Sequence, residues 1–372
     1  MNQKNNWYEV RDVNRLDTPA LIIFPERVAQ NIQRAIQLVG DPRRLRPHIK
    51  TNKSPQAVRL LLEAGIHRFK CATIAEAEML AMEGAEDVLL AYQPIGPKLD
   101  RLVALVKKYP DTQFSCLCDN LIAAKEQSQA FVAAGLQISV YLDLNVGMNR
   151  TGIEPGAGAF ELYRFLSNAP GIIAKGLHAY DGHLRDPDIE ARTIACDRAF
   201  QSVSNLVQSL EANGMNVKTI IAGGSPTFPI HAKRKNVECS PGTFIYWDKT
   251  YLDGCPEQPF VPAALLLTRV ISLPGIGRVC TDLGHKSVAA ENELDKRVFF
   301  LNAQGLKAIG QSEEHLVLET DESNSLSPGD VLYGIPYHVC PTIALYERAY
   351  TIVNGTITGE WQNTARDRRI TI

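Results

Sequence analysis

Leu45-Arg46-Pro47-His48-Ile49-Lys50 (LRPHIK, 45–50) is the stretch on which the reading of this 372-residue chain turns. In a β-strand alternate side chains share a face, so Arg46, His48 and Lys50 point one way and Leu45, Pro47 and Ile49 the other. In a barrel the apolar set faces the surrounding helices and the basic set faces inward. Three inward-facing basic groups repel one another and lose hydration, which is tolerable only where an anion or a reaction site sits. The active site of such a barrel lies at the C-terminal ends of its strands, and Lys50 is the last residue of this one. A lysine partly desolvated beside other cations keeps a usable neutral amine for Schiff-base chemistry. Read alone, the stretch also fits a surface strand end with solvated Lys50 and Lys53.

Outward from this stretch, short apolar segments alternate with helical ones. Strand candidates are ALIIF (20–24), LRPHIK, RFKCAT (68–73), DVLLAY (87–92), QFSCLC (113–118), QISVYLDL (137–144), IIAKGLHAY (172–180), TIIAGGS (219–225) and a last one near ECSPG (238–242). Amphipathic helices are expected over 25–38, over 54–64 after a Ser-Pro start, and over 73–84, where Thr73 and Glu76 form a capping pair and Gly84 a stop. The rhythm, about 20–30 residues per unit, is that of βα units and a parallel sheet. A dinucleotide fold would place G-x-G-x-x-G after its first strand, and RPHIKTNK stands there instead. The expectation is a (β/α)8 TIM-type barrel over residues 20–245. From 246 to 372 helical periodicity fades. FVPAALLLTRVISL, GRVCTDL, HLVLET, DVLYGIP, YTIVNGTI and RRITI read as strands, with Asn354-Gly355 as a hairpin turn. This is a C-terminal all-β domain of roughly 130 residues.

Composition excludes several classes. A formal net charge of -2 argues against nucleic acid as a partner. No apolar run approaches the ~20 residues that span a bilayer, and MNQKNNWYEV is not a signal peptide. Eight irregularly spaced cysteines suit a reducing cytoplasm better than a disulfide framework. Cys116 and Cys118 read as buried strand residues.

LDTPALIIF followed by RPHIKTNKSP resembles the opening of the D-threonine aldolase and D-serine dehydratase group. These belong to the alanine racemase-like, fold-type III pyridoxal-phosphate enzymes. The likeness runs from about Leu16 to the C-terminus. It implies that Lys50, not Lys53, binds pyridoxal 5'-phosphate, with His48 beside it. In YLDLNVGMNRTGI (141–153) it makes Arg150 the guanidinium near the cofactor's phenolic oxygen, where a permanently charged donor stabilises a phenolate. In IIAKGLHAYDGH it puts Tyr180 near the pyridine nitrogen. His183, after a Gly turn, is a candidate catalytic base. AGGSPT (222–227) offers Gly223, Gly224, Ser225 and Thr227 as a phosphate cradle, with Ser225 able to cap a following helix and Gly242 and Thr243 able to complete it.

In IPYHVCPT, His338 and Cys340 stand at i, i+2 on an expected extended segment. Imidazole plus thiolate suits zinc. Alone, H-x-C more often marks a buried cysteine. The resemblance makes it a divalent metal pair, with zinc favoured and manganese or magnesium open. Dehydratases of the group show His-x-Cys and aldolases can show His-x-Asp, so Cys340 departs from the aldolase pattern.

The resemblance implies a metal-assisted lyase for β-hydroxy D-amino acids. The D-threonine aldolase type gives glycine and an aldehyde, and the D-serine dehydratase type gives pyruvate and ammonia. A racemase using Tyr333 or Tyr337, and a non-enzymatic cofactor carrier, stay open. It also implies a homodimer, and that residues 1–19 join the β domain.

Overall fold

The computed structural model describes residues 6–320 and 326–372. The chain divides into two compact units, one of residues 1–32, 51–57 and 243–366, the other of 33–50, 58–242 and 367–372.

The first strand, β1 (Ala20–Ile23), is buried along its whole length and lies between two strands of the sheet unit, antiparallel to one and parallel to the other. ALIIF was expected to open the barrel, and it does not. A fully buried apolar run fits the middle of either sheet, and nothing local says which.

The barrel unit carries β2 (Arg68–Cys71), β3 (Asp87–Leu90), β4 (Gln113–Cys118), β5 (Ile138–Leu144), β6 (Ile172–Ala179), β7 (Thr219–Ala222) and β8 (Val237–Cys239), all parallel and paired in that order. Residues 45–48 close the ring. Leu45 bridges Cys239 of β8 and His48 bridges Lys70 of β2. Arg46 N–H donates to Cys239 O at 2.8 Å, and Lys70 N–H donates to Pro47 O at 2.9 Å. Pro47 has no N–H to give, so this eighth stave makes isolated bridges where its neighbours make ladders. Beyond His48 the chain tightens into a 3-10 turn, Ile49–Thr51. Lys50 therefore sits two residues past the last bridge rather than ending a strand.

The helix after Thr73 forms for the reason expected. Thr73 caps Ile74–Met82 by accepting from Glu76 N–H at 3.1 Å, and the Glu76 carboxylate reaches back to Ala72 N–H at 2.6 Å.

Leu89, Leu117, Tyr141 and Ile221 pack together as an apolar cluster. Arg46 is fully buried. Its guanidinium meets Asp87 (2.6 and 3.0 Å) and Glu238 (2.7 Å), and Arg68 holds the other Glu238 oxygen at 2.6 Å. Burial opposes the Arg46 charge, and the two carboxylates more than offset it, raising its proton affinity.

The sheet unit adds β9 (Ala264–Gly275), β10 (Arg278–Thr281), β11 (Val298–Phe300), β12 (Lys307–Gln311), β13 (Leu316–Glu319), β14 (Val331–Pro336), β15 (Arg348–Val353) and β16 (Thr356–Gln362). The main path runs β12-β13-β10-β9-β1-β15-β16, with β14 pairing β9 and β11. Asn354 and Gly355 both take positive φ (50° and 73°), the primed turn expected of Asn-Gly between β15 and β16. Tyr8, Val10 and Leu16 pack into this unit's core with Leu265, Leu267 and Tyr333. The unit is not purely β: it also carries the helices Lys249–Gly254 and Val339–Leu345. RRITI forms no strand. Thr371 and Ile372 instead donate backbone N–H groups to the buried Glu78 carboxylate at 3.0 and 3.3 Å.

Replacing Arg46 by Ala is expected to destabilise the protein by about 3 kcal/mol in chemical denaturation, because Asp87 loses its counter-ion while Glu238 keeps Arg68. A loss no larger than that of an exposed arginine would contradict this account.

Candidate cofactor and metal sites

In the barrel unit the inward face of residues 45–50 leads to the mouth. His48 Nδ1 accepts from Lys50 N–H at 3.3 Å, and His48 N–H donates to Pro241 O, which fixes the turn that carries Lys50. Asp143, one residue before the end of β5, binds His178 Nδ1 of β6 at 2.7 Å, both buried. Burial pushes the His178 pKa down; burial would raise that of Asp143, but the His178 hydrogen bond and charge, with Thr151 and Lys70, together hold it low. The pair is thus a neutral imidazole donating to a carboxylate.

The loop that delivers Arg150 is pre-formed by Asn145. Its Oδ1 accepts from Gly147 N–H (3.1 Å) and Asn149 N–H (3.0 Å), and Gly147, Asn149 and Gly152 take positive φ. Arg150 ends with its guanidinium carbon 4.8 Å from the Tyr180 ring centroid. Tyr180 is enclosed by bare backbone: a Cβ on Gly182 would lie 2.1 Å from its hydroxyl, and one on Gly224 would lie 2.9 Å from its ring. His183 is exposed, and its ring lies against Gly147.

In the AGGSPT turn Gly223 takes φ +76°, and Ser225 Oγ accepts from Gly242 N–H at 3.4 Å. The helix that follows is only Phe228–His231, and its N-cap is Thr227, not Ser225. Thr227 is already engaged: its hydroxyl donates to Asp181 Oδ1 at 2.7 Å and its N–H to Gly224 O at 3.1 Å. Gly223, Gly224 and Ser225 lie in the same turn, ahead of this N-cap threonine.

Sequence reading missed Lys70. It is paired in register with His48, 2% exposed, and bonded to Ser240 Oγ at 2.5 Å. Burial, then the Lys50 charge, pushes its pKa down to about 7. The alternation rule applied to LRPHIK would have found it in RFKCAT.

Also missed was the buried trio Asp181, Cys196 and His231, whose ligand atoms lie within 4.8 Å of one another. His231 Nε2 meets Asp181 at 2.8 Å and Cys196 Sγ at 3.3 Å, while Arg234 donates to His231 Nδ1 at 2.9 Å. An arginine always donates, so Nδ1 is the acceptor and Nε2 carries the proton that Asp181 receives. That tautomer leaves no ring lone pair for a metal.

In the sheet unit His338 and Cys340 are not on an extended segment. His338 is the N-cap of Val339–Leu345 and Cys340 lies in its first turn, which still brings the two side chains into hydrogen-bond contact. His338 Nδ1 is hydrogen-bonded to Glu291. Cys340 Sγ lies 3.1 Å from Thr51 Oγ1 and 3.9 Å from Thr243 Oγ1. Asp248 is buried behind the turn, accepting from Val339 N–H at 3.1 Å, and burial pushes its pKa up to about 6. Burial would lower the His338 pKa, but Cys340, Glu291 and Asp248 raise it to about 9. Imidazole, thiol and a flanking carboxylate form a donor set that fits a divalent cation.

The family model for the alanine racemase N-terminal domain matches residues 23–250. The chain belongs to that family. A putative serine dehydratase domain follows over 263–352. A D-threonine aldolase of Arthrobacter sp is 29% identical over 95% of this chain and 93% of its own length. A D-threo-3-hydroxyaspartate dehydratase of Delftia sp. (strain HT23) is 24% identical over 89% and 93%. The crystal structure of a D-threonine aldolase from Filomicrobium marinum superposes with a TM-score of 0.87 at 27% identity, covering 94% of this chain and 95% of the other. The barrel-plus-sheet architecture is thus that of the alanine racemase-like fold, for which pyridoxal phosphate is the expected cofactor. Both named relatives are lyases. Among the described residues no helix is long and apolar enough to cross a membrane.

The two candidate metal positions can be separated. In His338→Ala, added zinc is expected to leave the thermal transition unmoved, while it raises that of the unaltered protein. A zinc-dependent rise in His338→Ala would place a metal at the Asp181 trio instead.

Proposed function

We propose that this chain is a pyridoxal-phosphate-dependent, metal-assisted lyase of β-hydroxy D-amino acids, cleaving the Cα–Cβ bond to release glycine and an aldehyde. The observation that carries this is that Arg150 lies 4.8 Å from the Tyr180 ring and that both Lys50 and Arg150 act on Lys70 beside that ring, in a chain that aligns over nearly its whole length with a D-threonine aldolase. Pyridoxal phosphate bound there would act as an electron sink for charge developing at the substrate's α-carbon.

The chain's own residues have separable tasks. Lys50 supplies the amine that holds the aldehyde, on a turn fixed by His48. Arg150 would be a permanent donor for the phenolic oxygen, and Tyr180 would be the neutral partner of the ring nitrogen. Backbone at Gly223 and Gly224, with Ser225, receives the phosphate. Thr227 supports that turn through Asp181 instead of touching the anion. His183 is the candidate base for the β-hydroxyl proton, its ring placed against Gly147. His338 and Cys340 would hold the divalent ion, which would supply Lewis acidity. Thiolate with imidazole favours zinc, with manganese or magnesium as the harder alternatives.

A second reading has a specific observation behind it. Cys340 beside His338 is the pairing of the dehydratases, in which the β-hydroxyl leaves and pyruvate and ammonia form from D-serine. The racemase reading is weakened for Tyr333, which is buried in the sheet-unit core with its hydroxyl accepting from Val10 N–H at 3.2 Å. A bare cofactor carrier has no use for the sheet unit. A cytoplasmic location accords with eight free cysteines, and the homodimer belongs to this same reading.

Incubation of the metal-loaded protein with D-threonine and with D-serine tests the proposal. Glycine and acetaldehyde are expected; pyruvate and ammonia would transfer the assignment to the dehydratase. Interconversion of D- and L-alanine without turnover of either D-substrate would sink both. Lys50→Ala is expected to lose the yellow absorbance of the bound cofactor, and His338→Ala to lose activity while keeping the colour.

A further inference from the structure

Lys70 is the buried titratable group that the assignments above leave without a task. Its amine lies 5.6 Å from the Tyr180 ring centroid, on the ring that Arg150 also approaches at 4.8 Å. Among the described residues its one hydrogen-bond partner is Ser240 Oγ, and no carboxylate pairs with it. Asp143 is taken by His178, and Asp181 by Thr227 and His231. Arg46 shows what this barrel does with a cation meant to stay charged: it supplies two carboxylates. Lys70 has been given a hydroxyl instead. Besides Lys50, the charged groups facing it are Arg150, which disfavours its proton, and Asp143 and Asp181, which favour it; His178 faces it as a neutral ring. With its pKa at about 7, the amine stands between its two states at physiological pH.

We propose that Lys70 is the proton-linked counter-charge of the barrel mouth: it takes a proton from solvent when the anionic cofactor seats at Lys50, and holds that charge beside Tyr180. The inference rests on the cofactor reading above. A phosphate and a phenolate brought to the mouth favour the ammonium form, so the Lys70 pKa rises on binding. The sign of the linkage follows. Below about pH 7 the amine is protonated with or without cofactor and no proton moves. Above it, binding takes up a proton, and affinity falls as pH rises by up to about tenfold per unit until the bound-state pKa is passed. Lys70 acts through this charge and does not touch the reacting carbon, so it is a positioning residue.

The test is calorimetric. The full chain, stripped of cofactor, is titrated with pyridoxal phosphate at about pH 8 in two buffers of different ionisation heat, which counts the protons exchanged. The same is done with Lys70→Arg, which is permanently charged, and with Lys70→Met, which is never charged. The unaltered protein is expected to take up more protons than either variant, by a number approaching one. Its affinity should also fall more steeply with pH than that of Lys70→Arg, by up to about tenfold per unit. Lys70→Met should bind more weakly than Lys70→Arg throughout. Either variant alone decides the proton count if the other does not fold. Equal proton uptake in the unaltered protein and a folded variant would overturn the proposal while leaving the cofactor assignment intact. Failure of the unaltered protein to bind pyridoxal phosphate at all would overturn both.

Discussion

A guanidinium with no access to water holds the barrel together at its weakest seam. Residues 45–48 bring little hydrogen bonding to the ring, because Pro47 lacks a donor and the pairing is reduced to isolated bridges. What locates this stave is Arg46, tied to Asp87 of β3 and Glu238 of β8. A buried ion pair of this kind gains little over well-packed apolar residues, but breaking it is costly, so it selects one arrangement over others. The selection reaches the active end of the barrel. A slip of one residue would turn Arg46 and His48 outward together, and would displace the turn that carries Lys50, whose N–H is held by His48. Burying Arg46 therefore also sets where the Lys50 amine arrives.

This explains what could and could not be read in the sequence. Alternation in LRPHIK gave the inward face, since period 2 is a local property. The Thr73 and Glu76 cap and the Asn354-Gly355 turn were legible for the same reason. The carboxylates that neutralise Arg46 stand 41 and 192 residues away, and no local pattern reports them. The partner of Thr227, Asp181, lies 46 residues earlier beyond another strand, so its hydrogen bond was not legible locally. The buried run at 20–24 was a strand, as expected, but its place in the sheet unit depends on β9 and β15, far along the chain.

The glycines at the mouth show how one signal can serve two demands. Gly-Gly-Ser after β7 and Asp-Gly-His after β6 both read as turns open to an anion or a substrate. In the fold, Gly182 and Gly224 also leave room for the Tyr180 ring, which any Cβ at either position would invade. Arg150 and Lys70 then lie close to that ring. The small residues are needed for the tyrosine whether or not a phosphate binds. A glycine-rich turn at this place is evidence for close approach first, and for the identity of the approaching group only through the charges around it.

The two histidine clusters apply that principle to metals. His231 and His338 each sit with a cysteine and a carboxylate, and composition alone does not separate them. The deciding group is the partner on Nδ1. At His231 it is Arg234, a donor, which commits the Nε2 proton to Asp181 and leaves a closed hydrogen-bond network. At His338 it is Glu291, an acceptor, which holds the Nδ1 proton and turns Nε2 into the position a metal can take by displacing a proton. An orienting carboxylate makes a ligand of an imidazole, and an orienting arginine prevents it. The same residue types thus make a closed clamp in the barrel unit and a donor set suited to a cation in the sheet unit, separated by the polarity of one hydrogen bond.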